Sequence, residues 1–131
     1  MKRSFSKGSF RPLLGRVQNL GSARDGTEDF IRQRLSAIAL VPLCLWFAYS
    51  MACLSVADYQ TVVAWMKFPI NTVLLILLIF VGFYHAHVGI HEIFEDYLHS
   101  PVVKALSMVA MKFALITLTV ASVLAILRVA L

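Results

Sequence analysis

The chain has 131 residues, enough for one small domain, and 60% of them are apolar. Soluble globular proteins contain roughly 45–50% apolar residues, so the composition excludes an ordinary soluble domain. The formal net charge is +5, but eight of the twelve lysines and arginines lie within the first 34 residues. The positive charge is therefore confined to one end and gives no indication of nucleic-acid binding.

The basic N-terminal segment is the first predicted element. We expect residues 1–20 to form a flexible basic tail and residues 21–131 to form one membrane domain. Basic residues beside a first apolar run are typical of the cytoplasmic side, where they also meet anionic lipid. This pattern predicts a bacterial inner (plasma) membrane protein with a cytoplasmic N-terminus. An acid-free, serine-bearing basic start is also typical of a mitochondrial transit peptide, so the mitochondrial inner membrane stays open as an alternative.

Three long apolar runs follow the tail, at residues 35–56, 70–91 and 105–127. A helix needs about 20 such residues to cross the hydrocarbon core, where the backbone must satisfy its own hydrogen bonds. The sequence therefore predicts an all-α membrane protein with three transmembrane helices, spanning about residues 35–56, 70–95 and 104–127.

The segments around these runs carry helix-boundary signals. Thr27, followed by Glu28 and Asp29, predicts a helix start just before the first span. Residues 57–69 are predicted to form a short external loop. Pro101 predicts a break between the second and third spans, because the residue before a proline disfavours the helical conformation.

All four histidines lie within residues 85–99, at the end of the second span. On a helix, Gly82, His85, Gly89 and Asp96 fall on one stripe, at 100° per residue. A histidine between two glycines leaves a flat recess that suits a haem held through its imidazole. The spacing alone leaves a second interpretation open, in which His85 hydrogen-bonds across a helix interface that the glycines make close.

A second polar stripe consists of His87, His91 and Glu95, on another side of the same helix. Two histidines four residues apart, with a carboxylate one turn further on, have a spacing that suits a zinc ion. An alternative function is therefore a structural or metal-handling membrane protein without redox activity, using these three residues. A plain polar face that meets lipid headgroups is the simpler interpretation of the stripe.

Two segments together resemble a known family. The segment "HAHVGIHEIFEDYLH" at residues 85–99 is similar to the haem-binding region of the small hydrophobic membrane anchor of succinate dehydrogenase, respiratory complex II. The segment "GSARDGTEDFIRQRLSAIAL" at residues 21–40 resembles the lead of that family into its first span. The resemblance covers the chain from about Gly21 to the C-terminus and includes the three-span plan.

The resemblance implies a specific assembly. The three helices would be half of a six-helix anchor that binds haem b, and a second anchor protein of the cytochrome b type would supply the other half. The iron–sulfur and flavoprotein subunits would dock on this anchor, and succinate would be oxidised on another chain.

The resemblance also implies roles for four residues. His85 would be one axial ligand of the haem iron, with the second from the partner anchor. Tyr97 and Asp96 would help to build the site where ubiquinone is reduced. Arg34 would lie near the haem propionates and the quinone pocket.

Overall fold

A computed structural model of the protein describes the backbone of residues 21–131 and the side chains of residues 27–131. The predicted tail, residues 1–20, lies outside this range and stays a prediction. The described residues form four helices and no strand, so the predicted all-α architecture is confirmed over this range. The four helices are α1 (Gly21–Leu54), α2 (Tyr59–Lys67), α3 (Pro69–Tyr97) and α4 (Pro101–Ala130).

Three of these helices are long and apolar enough to cross a membrane. The qualifying segments are Thr27–Leu54, Pro69–Tyr97 and Pro101–Ala130, with 28, 29 and 30 residues. At a rise of about 1.5 Å per residue, each exceeds the roughly 30 Å of the hydrocarbon core. The chain is therefore a multi-pass membrane protein.

The interior of the described structure is small. Only four apolar side chains are buried in this part of the chain, Leu43, Leu75, Val88 and Met111, whereas many large apolar side chains on the long helices are exposed. Exposed apolar surface on this scale needs lipid or another protein to cover it.

The chain divides into two units, Met1–Arg32 and Gln33–Leu131. In the described part of the first unit, Arg32 pairs with Glu28 at 3.6 Å and with Asp29 at 3.5 Å. The predicted helix start at Thr27 is wrong, because α1 already includes Gly21. Glu28 and Asp29, which suggested a first turn, instead lie one turn before Arg32. Acid–arginine pairs at this spacing stabilise the interior of an exposed helix.

In the second unit, α3 and α4 form the most extensive helix pair. The predicted break between them is confirmed: α3 ends at Tyr97, and α4 begins at Pro101 with Ser100 as its cap. Proline suits this first helical position because its missing N–H would have no helical partner there. An ion pair between Lys104 and Glu95, at 3.5 Å, joins the two helix ends.

The prediction of a plain loop over residues 57–69 is wrong, because helix α2 occupies most of it. Asp58 caps this helix by accepting hydrogen bonds from the backbone N–H and the hydroxyl of Thr61. The indole of Trp65 on α2 stacks on that of Trp46 on α1, with ring centroids 5.7 Å apart. The cap and the aromatic contact together stabilise a helix too short to be stable alone.

This cap predicts a pH dependence. The hydrogen bond from the Thr61 hydroxyl is the main cause that lowers the pKa of Asp58 below its ordinary value of 3.8. A carboxyl whose pKa is lower in the folded state stabilises the fold above its unfolded pKa, and the contribution is lost as the pH falls through the folded pKa. We therefore expect Asp58→Ala to lower Tm at neutral pH, with a difference from wild type that shrinks below pH 3.8. Calorimetry in detergent would measure this, and a difference that does not change with pH would contradict it.

Candidate functional site

The imidazole of His85 is held between two helices of the second unit. It is half-buried on α3, and its Nδ1 lies 2.9 Å from the hydroxyl oxygen of Ser36 on α1. Ser36 is only 6% exposed, and its Oγ also lies 3.0 Å from the backbone oxygen of Gln33. The edge of the ring that bears Nδ1 is therefore turned towards α1 and away from water.

The two glycines beside His85 have different surroundings. A methyl group added at Gly82 would meet no atom within 4 Å, so the helix surface is open there. A methyl group added at Gly89 would lie 3.3 Å from the side-chain nitrogen of Gln33. The side-chain oxygen of Gln33 is buried and has no hydrogen-bond partner among the described residues. The predicted recess is thus open on the Gly82 side, whereas the amide of Gln33 lies over Gly89.

His87 faces a different part of the second unit. With Lys112 of α4 it lines a groove of about 510 Å³, and most of the other lining residues are apolar. His85, by contrast, meets Ser36 of α1. The two histidines therefore face different helices, as a separation of two positions on a helix requires.

The second polar stripe does not converge on one point. The rings of His87 and His91 have centroids 6.3 Å apart, and the carboxylate of Glu95 pairs with Lys104. Among the described residues, no group of three or more His, Cys, Asp or Glu side chains is arranged to hold a metal ion. The geometry that the metal-handling alternative requires is thus not present in this part of the chain.

The residues predicted for a quinone site lie at the end of α3. Asp96 and Tyr97 are exposed, and Tyr97 is 77% exposed. The rise along a helix puts Tyr97, twelve positions after His85, about 18 Å further along the axis. Arg34 is exposed on α1, two positions before Ser36. A pocket at Tyr97 would therefore need walls from another chain.

Sequence comparison identifies the family. The sequence-family model that describes the succinate dehydrogenase/fumarate reductase transmembrane subunit matches residues 9–119 of this chain. The chain belongs to this family. It is thus a membrane subunit of an oxidoreductase complex, and the other subunits of such a complex are its partners.

Individual relatives agree with this assignment. The chain is 30% identical to the succinate dehydrogenase hydrophobic membrane anchor subunit of Rickettsia bellii, over 89% of this chain and 94% of the relative. It is 29% identical to the anchor subunit of Rickettsia conorii, over 68% of this chain and 71% of the relative. It is 23% identical to that of Rickettsia typhi, over 89% of this chain and 94% of the relative.

Two residues near the candidate site of this succinate dehydrogenase/fumarate reductase transmembrane subunit were not predicted from the sequence. Ser36 and Gln33 approach the stripe of His85 from α1. A signal for Ser36 was present, because a hydroxyl near the start of an apolar span commonly hydrogen-bonds to another helix. Gln33 had no comparable signal, since a glutamine between two arginines is typical of a solvated helix end.

Proposed function

We propose that this chain is the membrane anchor of a succinate:ubiquinone oxidoreductase, that it supplies one ligand to haem b, and that it forms part of the ubiquinone-reduction site. The observation that carries the proposal is the family match over residues 9–119. The hydrogen bond between Ser36 Oγ and His85 Nδ1, at 2.9 Å, is compatible with a haem ligand because it leaves the other ring nitrogen available. The Rickettsia relatives favour a bacterial inner membrane, and the basic N-terminal segment favours a cytoplasmic N-terminus.

The residues around His85 fit a haem. Ser36 hydrogen-bonds with Nδ1, which would leave Nε2 as the ring nitrogen that holds the haem iron. The open helix surface at Gly82, one turn before the histidine, suits the edge of a flat macrocycle. When bound, haem supplies a centre that accepts and releases one electron.

The partner anchor would supply a second ligand to the haem iron and most of the haem surroundings. The long helices of this chain bury few of their own apolar side chains in the described structure. A second set of three helices would cover that surface and complete a six-helix bundle around the haem. The iron–sulfur and flavoprotein subunits would dock on the same side as the quinone site.

The proposed quinone chemistry uses the exposed end of α3. Reducing ubiquinone to ubiquinol takes up two electrons, which originate from succinate on another chain, and two protons. The Tyr97 hydroxyl would donate a hydrogen bond to a quinone carbonyl, and Asp96 would relay protons from the aqueous side. Arg34 would supply positive charge near the quinone and the haem propionates.

The open surface at Gly82 predicts that a methyl group there will affect the stability of the chain and the haem content differently. We expect Gly82→Ala to leave the chain as stable as wild type or about 0.5–1 kcal/mol more stable, because alanine favours a helix interior and the methyl group meets nothing in the described part of this chain. Haem content of the purified complex should fall, because the methyl group projects into the proposed recess. Thermal unfolding and the haem-to-protein ratio would measure these effects, and unchanged haem content would contradict the proposed position of the macrocycle.

Deletion of the chain tests the proposed function as a whole. Membranes that lack it should lose succinate-driven ubiquinone reduction, whereas dye-linked succinate oxidation should persist in the soluble fraction because the dehydrogenase subunits lose their anchor. Re-expression of the full chain should restore both the activity and its membrane location. Unchanged ubiquinone reduction in the deletion strain would refute the proposal.

A further inference from the structure

Ser36 makes two hydrogen bonds, and together they determine which ring nitrogen of His85 carries the proton. Its Oγ lies 3.0 Å from the backbone oxygen of Gln33 and 2.9 Å from Nδ1 of His85. Ser36 is only 6% exposed, although it lies in a helix that is long and apolar enough to cross a membrane. A buried hydroxyl normally satisfies its hydrogen-bonding capacity within the protein.

The chemistry of the three atoms allows only one arrangement that forms both bonds. A carbonyl oxygen can only accept a hydrogen bond, so Ser36 must use its single hydroxyl proton to donate to the backbone oxygen of Gln33. The Ser36 oxygen must then accept from His85, which requires the proton of the neutral imidazole to be on Nδ1. In that tautomer Nε2 carries the lone pair and is the atom able to bind a metal.

We propose that Ser36 is a positioning residue for the haem ligand. It fixes the Nδ1–H tautomer of His85, sets the rotation of the ring about its Cβ–Cγ bond, and raises the basicity of Nε2 by accepting a hydrogen bond from Nδ1–H. This inference rests on the proposed function, since it concerns the same haem site. It adds a residue from α1 to a ligand carried by α3.

A purely structural role for Ser36 makes a different prediction. If the hydroxyl only joined α1 to α3, its removal would change stability but not the electronic properties of the haem. A more basic ligand favours ferric over ferrous iron, so loss of the acceptor should raise the midpoint potential. Ser50 provides a matched control, because it lies on the same helix and is as well buried, at 7% exposure, but lies far along α1 from Ser36.

The test uses the complete complex purified from membranes, with redox titration of the haem and electron paramagnetic resonance of its ferric form. Ser36→Ala should retain haem, show a higher midpoint potential than wild type, and shift the low-spin ferric signal, which reports the orientation of the ligand ring. Ser36→Thr keeps the oxygen and should restore both properties. Ser50→Ala should match wild type.

A second replacement keeps the test decisive if the complex does not assemble with Ser36→Ala. Ser36→Cys keeps the size of the side chain but replaces the oxygen with a weak acceptor, and it should shift the potential in the same direction. Wild-type potential and ferric signal in haem-loaded Ser36→Ala or Ser36→Cys would overturn the inference. Failure of the proposed function itself is distinguishable, because the wild-type complex would then lack the b-type haem spectrum altogether.

Discussion

Replacement of His85 by alanine should abolish or severely reduce the b-type haem spectrum of the purified complex. The imidazole is the group of the proposed recess that can bind iron, and its Nδ1 lies 2.9 Å from Ser36 Oγ, which would leave Nε2 for that bond. Loss of partners that merely orient a ligand weakens metal binding roughly 10–100-fold, so loss of the ligand itself should have a larger effect. A reduced-minus-oxidised difference spectrum, normalised to the iron–sulfur protein, measures it.

The control for this substitution is His87→Ala. His87 is two positions away and also half-buried, but it lines the groove with Lys112 instead of meeting Ser36. We expect the His87 variant to keep the haem spectrum at wild-type intensity. An intact spectrum after His85→Ala, or equal loss in both variants, would contradict the assignment of His85 as the ligand.

Replacement of Tyr97 by phenylalanine should lower succinate–ubiquinone turnover by about tenfold or more. The substitution removes only the hydroxyl, and loss of a hydrogen bond to a group that gains charge during reaction corresponds to about 1.5–3 kcal/mol. Dye-linked succinate oxidation should stay at the wild-type rate, because the dye accepts electrons before the quinone site. Steady-state assays with the two acceptors, on the same preparation, separate these effects.

Tyr84→Phe is the matched control for the quinone prediction. Tyr84 is on the same helix and is also exposed, but it lies thirteen positions before Tyr97 on a surface that borders the groove of α3 and α4. This variant should retain both activities. Equal loss of the two activities in Tyr97→Phe would argue against a direct role of the hydroxyl at the quinone.

The long elements of the fold were predictable because hydrophobic length is a strong signal in membranes. Residues 70–95 and 104–127 fall within α3 and α4, and Pro101 marked the start of α4. Helix α2 was not predicted, because its stability depends on the Asp58 cap and on the stacking of Trp65 against a residue nineteen positions earlier. A contact of that kind is a property of the tertiary structure, and local sequence patterns do not carry it.

Helical phase was enough to separate His85 from His87, which share a segment but face different helices. Phase could not show which residues of α1 would meet the histidine, because the rotation and depth of one span against another depend on packing. Ser36 was within the motif that resembled the family, yet its contact with His85 became apparent only from its distance to Nδ1. Gln33 over Gly89 was likewise a consequence of packing.

The most direct test of the account is the absorption spectrum of the complex purified through a tag on this chain. We predict co-purification of the flavoprotein, the iron–sulfur protein and the second anchor, with one b-type haem for each copy of this chain. The reduced spectrum should then disappear in His85→Ala and persist in His87→Ala. A purified assembly that contains the dehydrogenase subunits but no b-type haem would contradict the account.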